Sequence, residues 1–175
     1  MRRRSKADDA DARARIAERR AHADYTGGIY GSLLAASVAV GAGTHGPPPR
    51  GELVLLLLST GVVFWIAHVH ARLFGAHLAQ PTRDRRTVVN VCRDEWPIVK
   101  AAVPPAAAVA VSPLLGLDLR GAVWLSLAVA VAGQMGWSAA AARHSGASWR
   151  LVVVSAAINL VIGLLIIVFK IALKD

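Results

Sequence analysis

Residues Leu53–Leu78 read LVLLLLSTGVVFWIAHVHARLFGAHL. No charge interrupts the run from Leu53 to Ala67. The hydrocarbon core of a bilayer is about 30 Å thick and takes roughly 20 apolar residues in a helix. A helix also satisfies its own backbone polar groups where there is no water to do so. The run is long and does not alternate in polarity, so a strand is set aside and a membrane-crossing helix is predicted. Its end raises a second question, because His68, His70, Arg72 and His77 follow one another where the apolar character fades.

Four other stretches share the character of the first half: Gly27–Gly43, Pro97–Leu117, Gly121–Ala142 and Leu151–Leu173. Hydrophobic residues make up 55% of the 175, and mean hydropathy is +0.47, which excludes an ordinary soluble domain. The expected fold is all-α, a polytopic integral membrane protein of about five transmembrane helices. Four remain possible if the first or third run only dips into the membrane. The third contains Pro104, Pro105 and Pro113, so a kink or break is expected there.

Charge orients the runs. Arg2, Arg3, Arg4, Lys6, Arg13, Arg15, Arg19 and Arg20 precede the first, and Arg72, Arg83, Arg85, Arg86 and Arg93 lie between the second and third. The connection 44–52 carries only Arg50, the turn 118–120 only Arg120, and the connection 143–150 carries Arg143 and Arg150. Rich and poor connections alternate, which puts the N-terminus in the cytoplasm and the C-terminus outside. Lys170 and Lys174 weaken the last step. Two regions follow: a charged cytoplasmic arm over 1–24, and a helical bundle over 25–175 with an amphipathic cytoplasmic connection near 80–96. A net charge of +9 raises nucleic acid as a partner. Basic clusters flanking apolar runs fit a bilayer with anionic headgroups instead, and a multi-pass place in the cell membrane, as in a bacterial inner membrane.

The histidines are read by direction and depth. At about 100° per residue, His68 and His70 point roughly 200° apart, and His70 and His77 are about 10 Å apart along the axis. Neither pair has metal-ligand spacing. A site built on His68, His70 and His77 would need several protomers, and no cofactor is expected. Arg72 lies about 28 Å beyond Leu53, at the inner boundary, where its side chain can reach headgroups. Most of the polar residues are then simply wet, with Trp65 as an interfacial aromatic. His68, the deepest, is the candidate titratable group, since histidine changes charge near physiological pH.

Other polar residues lie within the apolar runs. Gln134 and Asn159 have comparable depth and could hydrogen-bond across the bundle, either as glue between helices or as the lining of a path. Arg72 could pair with Asp94 or Glu95 at the inner mouth. Gly27, Gly31, Ala35, Ala39 and Gly43 recur at intervals of four, as do Ala128, Ala132, Gly136 and Ala140. Small residues let helices in lipid approach closely, so these two stripes are the expected tightest contacts, within a protomer or between protomers.

Soluble-enzyme signatures, such as a phosphate-binding glycine loop or a nucleophile elbow, are missing, and the lone Cys92 allows no internal disulfide. Two functions remain. One is an oligomeric channel or transporter, with His68, Arg72, Gln134 and Asn159 along the route. The other is a non-catalytic accessory or assembly subunit of a larger membrane complex. A metal- or haem-binding membrane protein comes third.

Overall fold

The computed structural model describes residues 6–42, 46–79 and 85–172. Among them there is no strand. The first helix, α1 (Lys6–Ala42), is continuous over 37 residues. The charged arm and the first apolar run are therefore one element and not two. Nothing between Lys6 and Thr26 breaks a helix: the stretch holds no Pro or Gly and is rich in Ala and Arg, which favour helix. At 1.5 Å per residue α1 is about 55 Å long, well beyond a hydrocarbon core.

Helix α2 (Arg50–Ala79) follows the prolines Pro47–Pro49. Helices α3 (Arg85–Glu95) and α4 (Pro97–Val111) are separated only by Trp96, whose backbone stays helical at φ −56°, ψ −29°. Pro97 stands at the start of α4, where its missing N–H costs nothing. Pro104 and Pro105 lie inside α4 without breaking it. The expected break falls later, where Pro113 sits in a 3-10 turn (Ser112–Leu115) closed by left-handed Gly116 at φ 67°. There the last carbonyls are met by the N–H groups of Gly116 and Leu117, at 3.0 and 3.2 Å. Helix α5 (Leu119–His144) opens on Asp118, whose Oδ1 accepts from Gly121 N at 2.7 Å, a side-chain cap of the ordinary kind. Helix α6 (Trp149–Ala172) completes the chain.

Four stretches are long and apolar enough to cross a membrane: Arg50–Gly75, Arg85–Leu115, Leu119–His144 and Trp149–Ile166. The apolar half of α1 is not among them, because Tyr25, Thr26, Tyr30, Ser32 and its glycines dilute it. It is nevertheless the centre of the bundle, packed most extensively on α5 and α4. Ala35, Ala36 and Ala39 are buried, together with Leu53 and Leu57 of α2, Val109 of α4 and Leu127 of α5. Helix α2 packs on α4 and α1, and α6 packs on α5 and, less, on α1.

Individual contacts give the directions. Gly27 lies beside Pro97, and Gly31 beside Ile98 and Ala101, so α1 and α4 run parallel. Gly28 lies against Trp137 and Ser32 against Gly133, so α1 and α5 are antiparallel. Gly61 beside Ala102, and Arg50 bonded to Ser112, set α2 antiparallel to α4. Gln134 bonded to Asn159, and Ser138 to Ser155, do the same for α5 and α6. The apolar half of α1 thus spans the same thickness as its neighbours.

The small-residue stripes divide. Gly27, Gly31, Ala35 and Ala39 are buried, and a Cβ on Gly31 would stand 2.6 Å from the Ile98 carbonyl oxygen. The stripe on α5 is left uncovered within the chain. Ala128, Ala132 and Gly136 are exposed, and a Cβ on Gly136 would meet nothing within 4 Å. Helix α5 turns Ser126, Leu127, Ala130, Val131, Gln134 and Ser138 inward instead. An Ala-rich helix shows a four-residue rhythm on more than one face, so spacing alone does not choose the buried one.

Candidate functional site

The polar groups of the bundle form two clusters. The first lies at the basic end, where the C-terminal end of α3 and the start of α4 meet the C-terminal halves of α2 and α5. His68 is half-buried, its Nδ1 is 2.9 Å from the Phe64 carbonyl oxygen four residues back, and its ring is 4.9 Å from that of Tyr30. Since a carbonyl only accepts, Nδ1 carries the proton of that bond. Arg72 Nη1 donates to Glu95 Oε1 at 2.6 Å, with 49% of the arginine side chain and 13% of the glutamate exposed. Of the two acids considered from the sequence, Glu95 takes this bond. An exposed arginine in such a pair gains little stability from it.

Aromatic rings gather at the same end. Trp65 Nε1 donates to the Cys92 carbonyl at 2.9 Å, and its ring meets Trp96 edge to face at 5.4 Å. Tyr25 contacts Trp137 and His144, at 6.3 and 5.6 Å between ring centres. Amphipathic rings prefer the depth where hydrocarbon gives way to headgroups. Arginines and aromatics together mark this end as an interfacial level.

The second cluster lies within the α5–α6 contact. Gln134 Nε2 donates to Asn159 Oδ1 at 3.0 Å. Asn159 Nδ2 donates to Ser138 Oγ at 2.9 Å and to the Ser155 carbonyl at 3.0 Å, and the Ser138 and Ser155 hydroxyls are 2.6 Å apart. The Ser155 carbonyl fixes which end of the Asn159 amide is nitrogen, and Asn159 Oδ1 in turn fixes Gln134. Gln134 is 1% exposed, and its Oε1 has no hydrogen-bond partner. The Ser126 hydroxyl, buried two turns earlier on α5, also lacks one.

The four residues considered for a pathway are therefore not brought together within one chain. His68 and Arg72 belong to α2, Gln134 and Asn159 to α5 and α6, and α1 and α4 pack between these groups. His70 is exposed and stacks on Phe74 at 6.4 Å, while the side chain of His77 lies outside the described residues. No group of three or more potential metal ligands occurs among the described residues.

Three contributors were not legible in advance. Tyr30 was read only as part of a small-residue run, yet it faces His68. Arg50 closes the opposite end, with Nε donating to Ser112 Oγ at 3.1 Å and Nη2 to the Leu117 carbonyl at 2.5 Å. Ser138 joins the amide cluster, and its position four residues after Gln134 was the available signal.

The fold and these clusters define a class: an all-helical, membrane-type bundle whose clustered polar side chains bond to one another and to backbone carbonyls. Comparison with known protein families, with characterised proteins and with solved structures finds no match to this chain.

Proposed function

We propose that the chain is a non-catalytic structural or assembly subunit of a membrane complex, crossing the bilayer five times with its basic end in the cytoplasm. The observation that supports this reading is the separation of the two polar clusters. A pathway through one chain needs polar groups that follow one another across the hydrocarbon. Here α1 and α4 stand between them, and the packed face of α1 offers Ala35, Ala36 and Ala39. His68 is occupied by a carbonyl of its own helix, and Arg72 by Glu95. The outer faces of α2 and α6 display Leu55, Val63, Ile66, Ile158, Leu164 and Leu165, which suit lipid or apolar helices of a neighbour.

The test is reconstitution of the purified chain in liposomes, with proton and small-ion flux followed between pH 5 and 8. The expected result is flux equal to that of empty liposomes, unchanged by His68→Ala. A pH-dependent flux abolished by His68→Ala would replace this reading with the oligomeric channel or transporter. The orphan acceptor Gln134 Oε1 is what favours that second reading, because a buried acceptor is where a permeant donor would pause.

A further inference from the structure

Helices α3 and α4 share one continuous face, because the backbone between them stays helical at Trp96. Arg93, Trp96, Lys100, Val103 and Ala107 follow at intervals of three, four, three and four, and so lie along that face. All five are exposed, Trp96 at 43%, while α1, α2 and α5 cover the rest of α4. Neither the Arg93 guanidinium nor the Lys100 ammonium bonds to another described residue. The neighbouring acids point elsewhere. Asp94 and Glu95 are half-buried, about 100° and 200° further round the helix from Arg93, and Glu95 is held by Arg72. Lys100 stands one turn inside membrane-type α4, where a bare ammonium is costly. Long side chains on a helix lean toward its N-terminus, here the basic end, which carries the lysine stem back toward Trp96. The edge-to-face Trp65–Trp96 pair marks that level as interfacial.

We propose that Arg93 and Lys100 hold the phosphate of one anionic phospholipid between them, beside the Trp96 indole. Their backbones are about 10 Å apart along the axis, and the lean of Lys100 narrows that gap until one phosphate bridges both. The planar guanidinium meets two phosphate oxygens at once, and the ammonium adds a point charge from the hydrocarbon side. Beyond Lys100 the same face is apolar, with Val103, Ala107 and Val111 exposed where an acyl chain would lie. The occupant is a lipid and not free phosphate, because two unpaired cations head a strip that only hydrocarbon would cover. The proposal rests on the membrane setting of the bundle and not on any role as a subunit.

The experiment is native mass spectrometry of the full chain in mild detergent, titrated with phosphatidylglycerol or phosphatidylcholine. The parent should retain one phosphatidylglycerol per chain in preference to phosphatidylcholine. Retention should be about 5-fold weaker in Lys100→Gln and about 30-fold weaker in Arg93→Gln/Lys100→Gln. Arg143→Gln/Arg150→Gln removes the same charge from exposed positions around the α5–α6 connection and should retain the lipid as the parent does. Lys100→Arg keeps a cation at the same depth and should retain it too, which separates loss of the charge from loss of the fold. Equal loss in the two double variants would show diffuse attraction and overturn the site. A parent chain that does not distinguish the two lipids would overturn it as well, as would a Lys100→Arg chain that loses as much as Lys100→Gln. Displacement of the lipid by millimolar inorganic phosphate would assign the two cations to the free anion and refute the lipid.

Discussion

Replacing Asn159 by Leu removes the hub of the α5–α6 cluster. The substitution deletes two interhelical hydrogen bonds, those to Gln134 and to Ser138. Between helices in a membrane each is worth about 0.6 kcal/mol, reaching about 1.7. It also strands Gln134, which is 1% exposed and whose Oε1 already lacks a partner. A buried polar group left without its bond costs about 1–3 kcal/mol. The sum is about 2–4 kcal/mol, a shift of roughly 30- to 900-fold in the unfolding equilibrium. Gln134→Leu differs in kind. It loses one bond and removes the orphaned Oε1, but leaves the half-buried Asn159 Oδ1 without its donor, so its net cost should be about 1 kcal/mol, below that of Asn159→Leu. The double variant Gln134→Leu/Asn159→Leu should then be more stable than Asn159→Leu alone. The assay is reversible unfolding in mixed micelles at increasing dodecyl sulfate fraction, read by far-UV circular dichroism and completed as a double-mutant cycle. If Gln134→Leu destabilises as much as Asn159→Leu, Oε1 has a donor after all and the reasoning fails. If the cycle shows no coupling, the Gln134–Asn159 bond is absent in the membrane.

The glycines supply a contrast within one assay. Gly31→Ala should destabilise by about 1–3 kcal/mol, because the new methyl would press on the Ile98 carbonyl and Ala101, whereas Gly136→Ala should be neutral or stabilising by up to about 1 kcal/mol. Equal effects at the two positions would mean that the wrong face of α5 or α1 has been placed inside. Arg50→Met should cost about 1–3 kcal/mol by releasing the Leu117 carbonyl and the Ser112 hydroxyl at the end of α4. A loss confined to low ionic strength would show instead that only the charge of Arg50 matters.

Much of the architecture was legible because hydrocarbon admits few solutions. Unbroken apolar runs of the right length mean helices, and the described residues hold helices there and no strand. The Gln134–Asn159 contact followed from depth alone, since two amides at one level of a bundle have few other partners. What resisted reading was azimuth. Whether Gly133 or Gly136 meets α1 depends on how α5 is rotated, and its alanines on both sides leave the hydrophobic pattern nearly uniform. The rotations of three helices, α2, α5 and α6, decide whether His68 and Arg72 converge with Gln134 and Asn159, and within one chain they do not. Of the three prolines where a kink or break was expected, Pro113 takes the break, while a helix packed on α1, α2 and α5 continues through Pro104 and Pro105 despite the lost donors.

The account depends on five crossings with the arginine- and aromatic-rich end in the cytoplasm, and single-cysteine labelling tests it most directly. In a Cys92→Ser background, cysteines at Asp11, Pro49, Leu114 and Ser148, all exposed positions, are treated with a membrane-impermeant maleimide in intact cells. The account predicts labelling at 49 and 114, and protection at 11 and 148 until the cells are opened. Labelling of 11 together with 49 would show that α1 does not cross, and labelling of 148 with protection of 114 would invert the whole bundle.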